Sequence, residues 1–132
     1  MPHVVILYTA SLERESDMTV LCRTLANTML AVKDEDGKRV FPIGGVRVLA
    51  YPAAHSAVAD GSGEHAFAYV NLRMGRGRSD IAKRNAGEAL AMATQTHFAP
   101  ILARRPVGVT LQIDEGPEVF DAKLGNLHSL FQ

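Results

Sequence analysis

Hydrophobic and polar positions follow two different periods along this chain, and the two periods occur in the same order twice. The first segment is a continuous apolar run, which is typical of a strand buried on both faces. A later segment alternates strictly, with Ala66, Ala68, Val70 and Leu72 on one side. Together these patterns predict four β-strands, at His3–Thr9, Val46–Tyr51, His65–Arg73 and Val107–Asp114.

Two segments between the strands have the spacing of amphipathic helices. The first follows Ser11–Asp17, which is rich in helix-capping residue types, and it ends in the charged turn Lys33–Lys38. Its apolar face is predicted to comprise Met18, Leu21, Cys22, Leu25, Met29 and Val32, so that Cys22 belongs to the core. The second begins at Ser79-Asp80, and Pro100 is expected to kink or end it. Its predicted face comprises Ile81, Asn85, Ala89, Met92 and Thr96.

The order strand–helix–strand therefore occurs twice, with corresponding elements offset by about 61 to 63 positions. We expect a single domain over residues 1–132, with an internal repeat at about 2–51 and 65–114 and a C-terminal tail without a clear period. Each half is a right-handed βαβ unit. The fold class is α/β (α+β by some schemes): one four-stranded sheet with both helices on one face. The other apolar face needs a cover, so we expect an oligomer.

Composition limits the classes of function. The chain has 132 residues, 47% of them hydrophobic and 21% charged, with 14 basic and 14 acidic side chains. This zero net charge argues against a protein that mainly coats nucleic acid or an anionic membrane. A single cysteine, Cys22, excludes an intrachain disulfide and fits a reducing compartment. With no signal sequence and no long apolar stretch, a soluble cytoplasmic protein is expected.

Pro2 is the most informative candidate for chemistry. Removal of Met1, which is usual before a small second residue, would expose a secondary amine at the start of a buried strand. Burial and nearby positive charge disfavour the protonated form of such an amine. A neutral amine near pH 7 can act as a general base that returns its proton to another atom. A proline that merely begins the strand is the alternative.

Two arginines strengthen the catalytic interpretation. Arg47 follows the Gly44-Gly45 loop, and Arg78 ends a glycine-rich turn at the start of the second helix. A guanidinium is a planar fork that matches a carboxylate, and a helix N-terminus adds N–H donors. Two arginines near an amine suit a substrate with two or more carboxylates.

Other interpretations are weaker. The basic cluster Arg73–Arg84 could bind nucleic acid, but it lacks interleaved aromatic residues. The turn Gly75–Arg78 lacks the remaining residues of a phosphate-binding loop. The five histidines have no metal-ligand spacing, so no metal site is expected. A non-catalytic oligomeric module that binds anionic metabolites through the same arginines remains an alternative function.

The motifs in their order and spacing resemble the 5-carboxymethyl-2-hydroxymuconate isomerase family of the tautomerase superfamily, over nearly the whole chain. The segments that carry the resemblance are Met1–His3, Phe41–Arg47, His65–Val70, Gly75–Ser79, Ala86–Glu88, Thr96–Phe98 and Asn126–Phe131.

This resemblance implies a trimer whose sheets form a central barrel-like core with helices outside. It implies that Pro2 is the proton-shuttling base and that Arg47 and Arg78 bind substrate. The implied reaction moves a proton from the 2-hydroxy group of a dienol polycarboxylate to carbon and gives the keto isomer. It belongs to the bacterial breakdown of homoprotocatechuate and needs no metal or organic cofactor.

Overall fold

The computed structural model describes all residues, 1–132. Four strands and two long helices follow one another as β1–α1–β2 and then β3–α2–β4. The predicted number and order of the main elements are therefore confirmed. Their bounds are β1 His3–Thr9, α1 Met18–Ala31, β2 Arg47–Ala53, β3 Ala66–Met74, α2 Asp80–Leu102 and β4 Val107–Glu115. Short 3-10 turns occur at Ala10–Glu13, Ile43–Gly45 and His128–Phe131.

The four strands form one mixed sheet in the order β2-β1-β3-β4. The strands within each βαβ unit are parallel, whereas β1 and β3 meet antiparallel at the centre. Strand β2 extends beyond the predicted end at Tyr51 and includes Pro52. Because β2 is an edge strand, the missing N–H of Pro52 costs the sheet little.

Helix α1 forms as its sequence pattern predicts. The Asp17 side chain accepts a hydrogen bond from Val20 N at 3.0 Å and so caps the helix. Met18, Leu21, Leu25 and Met29 are buried. Cys22 is only half-buried at the edge of the core, which corrects its assignment to the interior; partial burial raises the pKa of its thiol.

Helix α2 buries a different face from the predicted one. Ile81 and Met92 are exposed, at 53% and 71% respectively, and Thr96 is exposed as well. The buried residues lie one or two positions further along the chain and are Ala82, Ala86, Leu90, Thr94, Phe98 and Ile101. Alanine and other small residues occur all around this helix, so the sequence carries little directional signal.

The end of α2 also departs from the sequence analysis. The helix continues through Pro100 to Leu102. Because Pro100 lies in the last turn, its missing N–H removes one hydrogen bond there rather than interrupting a long helix.

The two faces of the sheet are very different. Alternate residues of β1 and β3 pack under the helices; among them, Val4, Ile6, Val70 and Leu72 are fully buried. The opposite face carries large apolar side chains that are exposed in the single chain: Leu7, Leu49, Tyr51 and Phe67. No helix has the length and apolar character required to cross a membrane.

Candidate active site

Three segments converge at one end of the sheet because of its topology. β1 and β2 run parallel, so both begin at this end, with His3 paired to Arg47. β3 runs antiparallel to β1, so it finishes at the same end, with His3 also paired to Arg73. The chain start at Pro2, the start of β2 and the turn after β3 therefore lie together, although they are far apart in sequence.

A cavity of about 390 Å³ opens at this end of the sheet. All three predicted site residues, Pro2, Arg47 and Arg78, contribute to its lining. Pro2 is buried, and both arginines are half-buried. The cavity therefore brings together the pyrrolidine ring of Pro2 and the two arginines that the sequence pattern singled out.

Two glycines make room for this arrangement. A Cβ added at Gly45 would lie 3.3 Å from Cδ of Pro2, so the loop backbone packs closely against the proline ring. A Cβ added at Gly44 would lie 2.7 Å from the backbone Cα of His128, a separation that side-chain carbons do not tolerate. Gly44 thus allows the C-terminal tail to rest against the loop that precedes β2.

The guanidinium of Arg78 makes two hydrogen bonds and one aromatic contact. Its Nε donates to the carbonyl oxygen of Val40 at 3.3 Å, and its Nη1 donates to the carbonyl oxygen of Gly75 at 3.2 Å. Its guanidinium carbon lies 5.1 Å from the ring centroid of the fully buried Phe41, which is within cation–π range. The fork is therefore oriented before any ligand arrives, with donors still unused on the guanidinium.

Burial lowers the pKa of Arg78, and the nearby carboxylate of Glu115 opposes this effect. Arginine nevertheless stays charged at any physiological pH. Glu115 itself is engaged by Lys83, whose Nζ lies 2.9 Å from its Oε1. The positive charge of Arg78 thus remains available to an anion in the cavity.

Arg47 lies beside the chain start. Its Nη1 donates to the carbonyl oxygen of Gly45 at 3.3 Å and also contacts Sδ of Met1 at 2.7 Å. Met1 is itself part of the cavity lining. While Met1 is present, its side chain occupies space in the cavity and its carbonyl carbon is bonded to the nitrogen of Pro2.

The expected N–H donors from the start of α2 are not found at this site. The start of α2 is capped by Ser79, whose side chain accepts from Ala82 N at 3.1 Å and donates to the exposed Glu35 at 2.8 Å. Neither Ser79 nor Asp80 lines the cavity, so the helix N-terminus contributes no donors there. Arg76 is exposed and outside the lining.

The C-terminal tail forms part of the cavity wall, which the sequence pattern did not predict. Five residues of the C-terminal tail contribute to it: Lys123, Leu124, Gly125, Leu127 and His128. Their spacing follows neither a helical nor a strand period, so periodicity could not assign them. The only signal was the segment Asn126–Phe131 among the motifs of the family resemblance.

Comparison with known proteins gives a consistent result. A sequence model described as 5-carboxymethyl-2-hydroxymuconate isomerase matches residues 2–131. The 5-carboxymethyl-2-hydroxymuconate Delta-isomerase of Escherichia coli is 28% identical over 132 residues, which is 100% of both chains.

Solved structures agree with the sequence matches. A crystal structure of a 5-carboxymethyl-2-hydroxymuconate delta-isomerase is 57% identical, with a TM-score of 0.95 over 100% of this chain and 93% of that chain. A 5-carboxymethyl-2-hydroxymuconate isomerase from Deinococcus radiodurans R1 is 33% identical, with a TM-score of 0.87 over 99% of this chain and 94% of that chain. A fused 4-OT asymmetric trimer, at 15% identity and a TM-score of 0.60, shares the fold.

Proposed function

The chain belongs to the 5-carboxymethyl-2-hydroxymuconate isomerase family, and from that membership we propose that it isomerises 5-carboxymethyl-2-hydroxymuconate, or a similar dienol polycarboxylate, through the nitrogen of Pro2. The family, the tautomerase-like α+β fold and the enzyme class, an isomerase of the intramolecular oxidoreductase type, are established by the matches described above. We propose the substrate and the roles of the individual residues as follows.

One observation carries the proposal: Pro2, Arg47 and Arg78 line the same cavity. In the proposed reaction the neutral nitrogen of Pro2 takes the proton of the 2-hydroxy group. The oxygen electrons form the carbonyl and the nearer double bond shifts to the middle of the diene. The electron pair of the farther double bond then takes a proton from the prolinium at the far end of the diene. The enzyme ends in its starting state, so no cofactor is consumed.

The arginines have two tasks in this scheme. Their guanidinium groups bind substrate carboxylates, and they stabilise the negative charge that develops on the enolate oxygen. Their positive charge also disfavours a second positive charge on the buried nitrogen of Pro2, which favours the neutral base. Arg78 suits the first task because Val40, Gly75 and Phe41 fix its orientation.

The scheme requires removal of Met1. A nitrogen in an amide bond is not a base, and the Met1 side chain also engages Arg47. Loss of Met1 therefore frees the base, one guanidinium donor and part of the cavity volume in a single step.

We further propose that the protein is a homotrimer. The exposed apolar face with Leu7, Leu49, Tyr51 and Phe67 needs a cover, and a second sheet of the same kind supplies one. The fused 4-OT proteins of the same fold are trimers. We also assign the reaction to the breakdown of homoprotocatechuate, as the family resemblance implies. The lone cysteine agrees with a reducing cytoplasm.

The test is an ultraviolet assay that follows loss of the dienol and formation of the conjugated ketone. Pro2→Ala, with its N-terminus verified by mass, should lose about two orders of magnitude or more in kcat, the range that general acid–base catalysis supplies. An undiminished rate removes Pro2 from the mechanism. Binding of the dienol by the unmodified chain without any spectral conversion would instead support a non-catalytic binding module.

A further inference from the structure

A third cationic residue, Lys123, lines the cavity and lies outside the segments that supply Pro2 and the two arginines. Lys123 belongs to the C-terminal tail, which otherwise extends over the surface with its large apolar residues exposed. The same tail adds His128 to the lining.

The tail ends in a short turn that contacts the loop preceding β2. Leu130 N donates to the carbonyl oxygen of Leu127 at 3.1 Å, and the Ser129 hydroxyl donates to the carbonyl oxygen of Asn126 at 2.8 Å. These bonds close the 3-10 turn that begins at His128, and His128 sits directly on Gly44. Lys123 lies shortly before this turn in the chain, so the contact of the turn with Gly44 keeps the Lys123 segment near the cavity rim.

In the absence of a ligand, the Lys123 ammonium pairs with Asp121 at 2.7 Å. Both side chains of this pair are more than half exposed, at 60% and 52%. Exposed ion pairs contribute little to stability, so the ammonium can exchange Asp121 for another carboxylate at small cost.

The number of carboxylates on the substrate can be compared with the number of cationic residues that line the cavity. A 5-carboxymethyl-2-hydroxymuconate carries three carboxylates, two at the ends of the muconate chain and one on the carboxymethyl branch. Arg47 and Arg78 account for two of them. We propose that Lys123 binds the third carboxylate, which makes the C-terminal tail the element that selects tricarboxylate over dicarboxylate dienols. This inference rests on the proposed function.

The experiment compares two substrates in the ultraviolet assay, 5-carboxymethyl-2-hydroxymuconate and 2-hydroxymuconate, which lacks the carboxymethyl branch. Lys123→Gln should lower kcat/KM for the tricarboxylate by about tenfold, mainly through KM, since one charge-assisted hydrogen bond is lost. The value for the dicarboxylate should change by less than about twofold, because Lys123 has no third carboxylate to bind there. Arg76→Gln is the matched control, since it removes one exposed positive charge near the site but outside the lining.

Equal losses on both substrates, or no loss on either, would overturn the assignment of Lys123. An equal loss in Arg76→Gln would overturn it as well, because a general field effect would then explain the result. Calorimetric binding of propane-1,2,3-tricarboxylate and of glutarate separates this proposal from the catalytic one. Lys123→Gln should weaken only the tricarboxylate, and that result in a chain without turnover would retain the subsite while rejecting the isomerase.

Discussion

Replacing Arg78 with lysine should lower kcat/KM for 5-carboxymethyl-2-hydroxymuconate much more than it lowers stability. Arg78 uses Nε and Nη1 for the carbonyl oxygens of Val40 and Gly75 while its plane lies over Phe41. A lysine ammonium keeps the charge but has no planar fork, so it cannot hold both carbonyls and also present paired donors to a carboxylate.

The size of the effect follows from the contacts that are lost. One charge-assisted hydrogen bond to the substrate contributes roughly 1.5–3 kcal/mol, and the stacked orientation over an aromatic ring contributes roughly 0.5–1 kcal/mol. Since the retained charge recovers part of this, we expect a loss of about 2–3 kcal/mol in transition-state stabilisation, or roughly 30- to 150-fold in kcat/KM.

The assay is the steady-state conversion of the dienol followed by ultraviolet absorbance. Arg76→Lys is the matched control, because Arg76 lies two positions away in the same turn and is exposed outside the cavity. Circular dichroism should show the same secondary structure in both variants. A kcat/KM for Arg78→Lys within about threefold of the unmodified chain would refute the reasoning from the fork geometry.

Three further predictions concern packing, assembly and pH. Leu90→Ala, on the buried face of α2, should lower the free energy of unfolding by about 2–5 kcal/mol. Met92→Ala, on the exposed face, should change it by less than about 0.5 kcal/mol. Equal effects of the two substitutions in chemical denaturation would contradict the observed helix face. Leu7→Lys, on the bare sheet face, should yield monomers in sedimentation, and an unchanged mass would contradict that interface. Burial lowers the pKa of His97 below its ordinary 6.5. As the pH falls, the unfolded chain therefore takes up a proton on His97 at a higher pH than the folded chain does. The free energy of unfolding should consequently decrease as the pH drops below about 6.5. His97→Gln should remove that slope, and an identical pH dependence would contradict it.

The strands and their pairing within each βαβ unit were predictable because two-residue alternation is a strong signal when one face is buried. Burial in β3, from Ala66 to Met74, alternates without exception. The four residues predicted to share one side, Ala66, Ala68, Val70 and Leu72, are all buried, and Met74 beyond the predicted end continues the series. Convergence of Pro2 and Arg47 also follows from the predicted βαβ unit, since parallel β1 and β2 must begin at the same end. Arg78 joins them because β3 runs antiparallel to β1, a pairing that the sequence pattern did not predict. These parts of the site depend on backbone topology rather than on side-chain detail.

The buried face of α2 and the contacts of the tail were not predictable, for two different reasons. In α2 the small residues satisfy several faces equally, so Ile81 and Met92 suggested the wrong one; the face is chosen by contact with the sheet and α1. In the tail no period exists, and its contact with the loop before β2 needs the space that Gly44 leaves for His128. Such a contact depends on two distant segments meeting, which local patterns do not encode.

The central claim is that catalysis requires an unacylated nitrogen on Pro2. The most direct measurement compares the isomerisation rate of the chain that begins at Pro2 with that of a chain bearing one added residue before Pro2, each verified by intact mass. We predict a rate at least about 100-fold lower when that nitrogen is an amide. Equal rates in the two preparations would contradict the account.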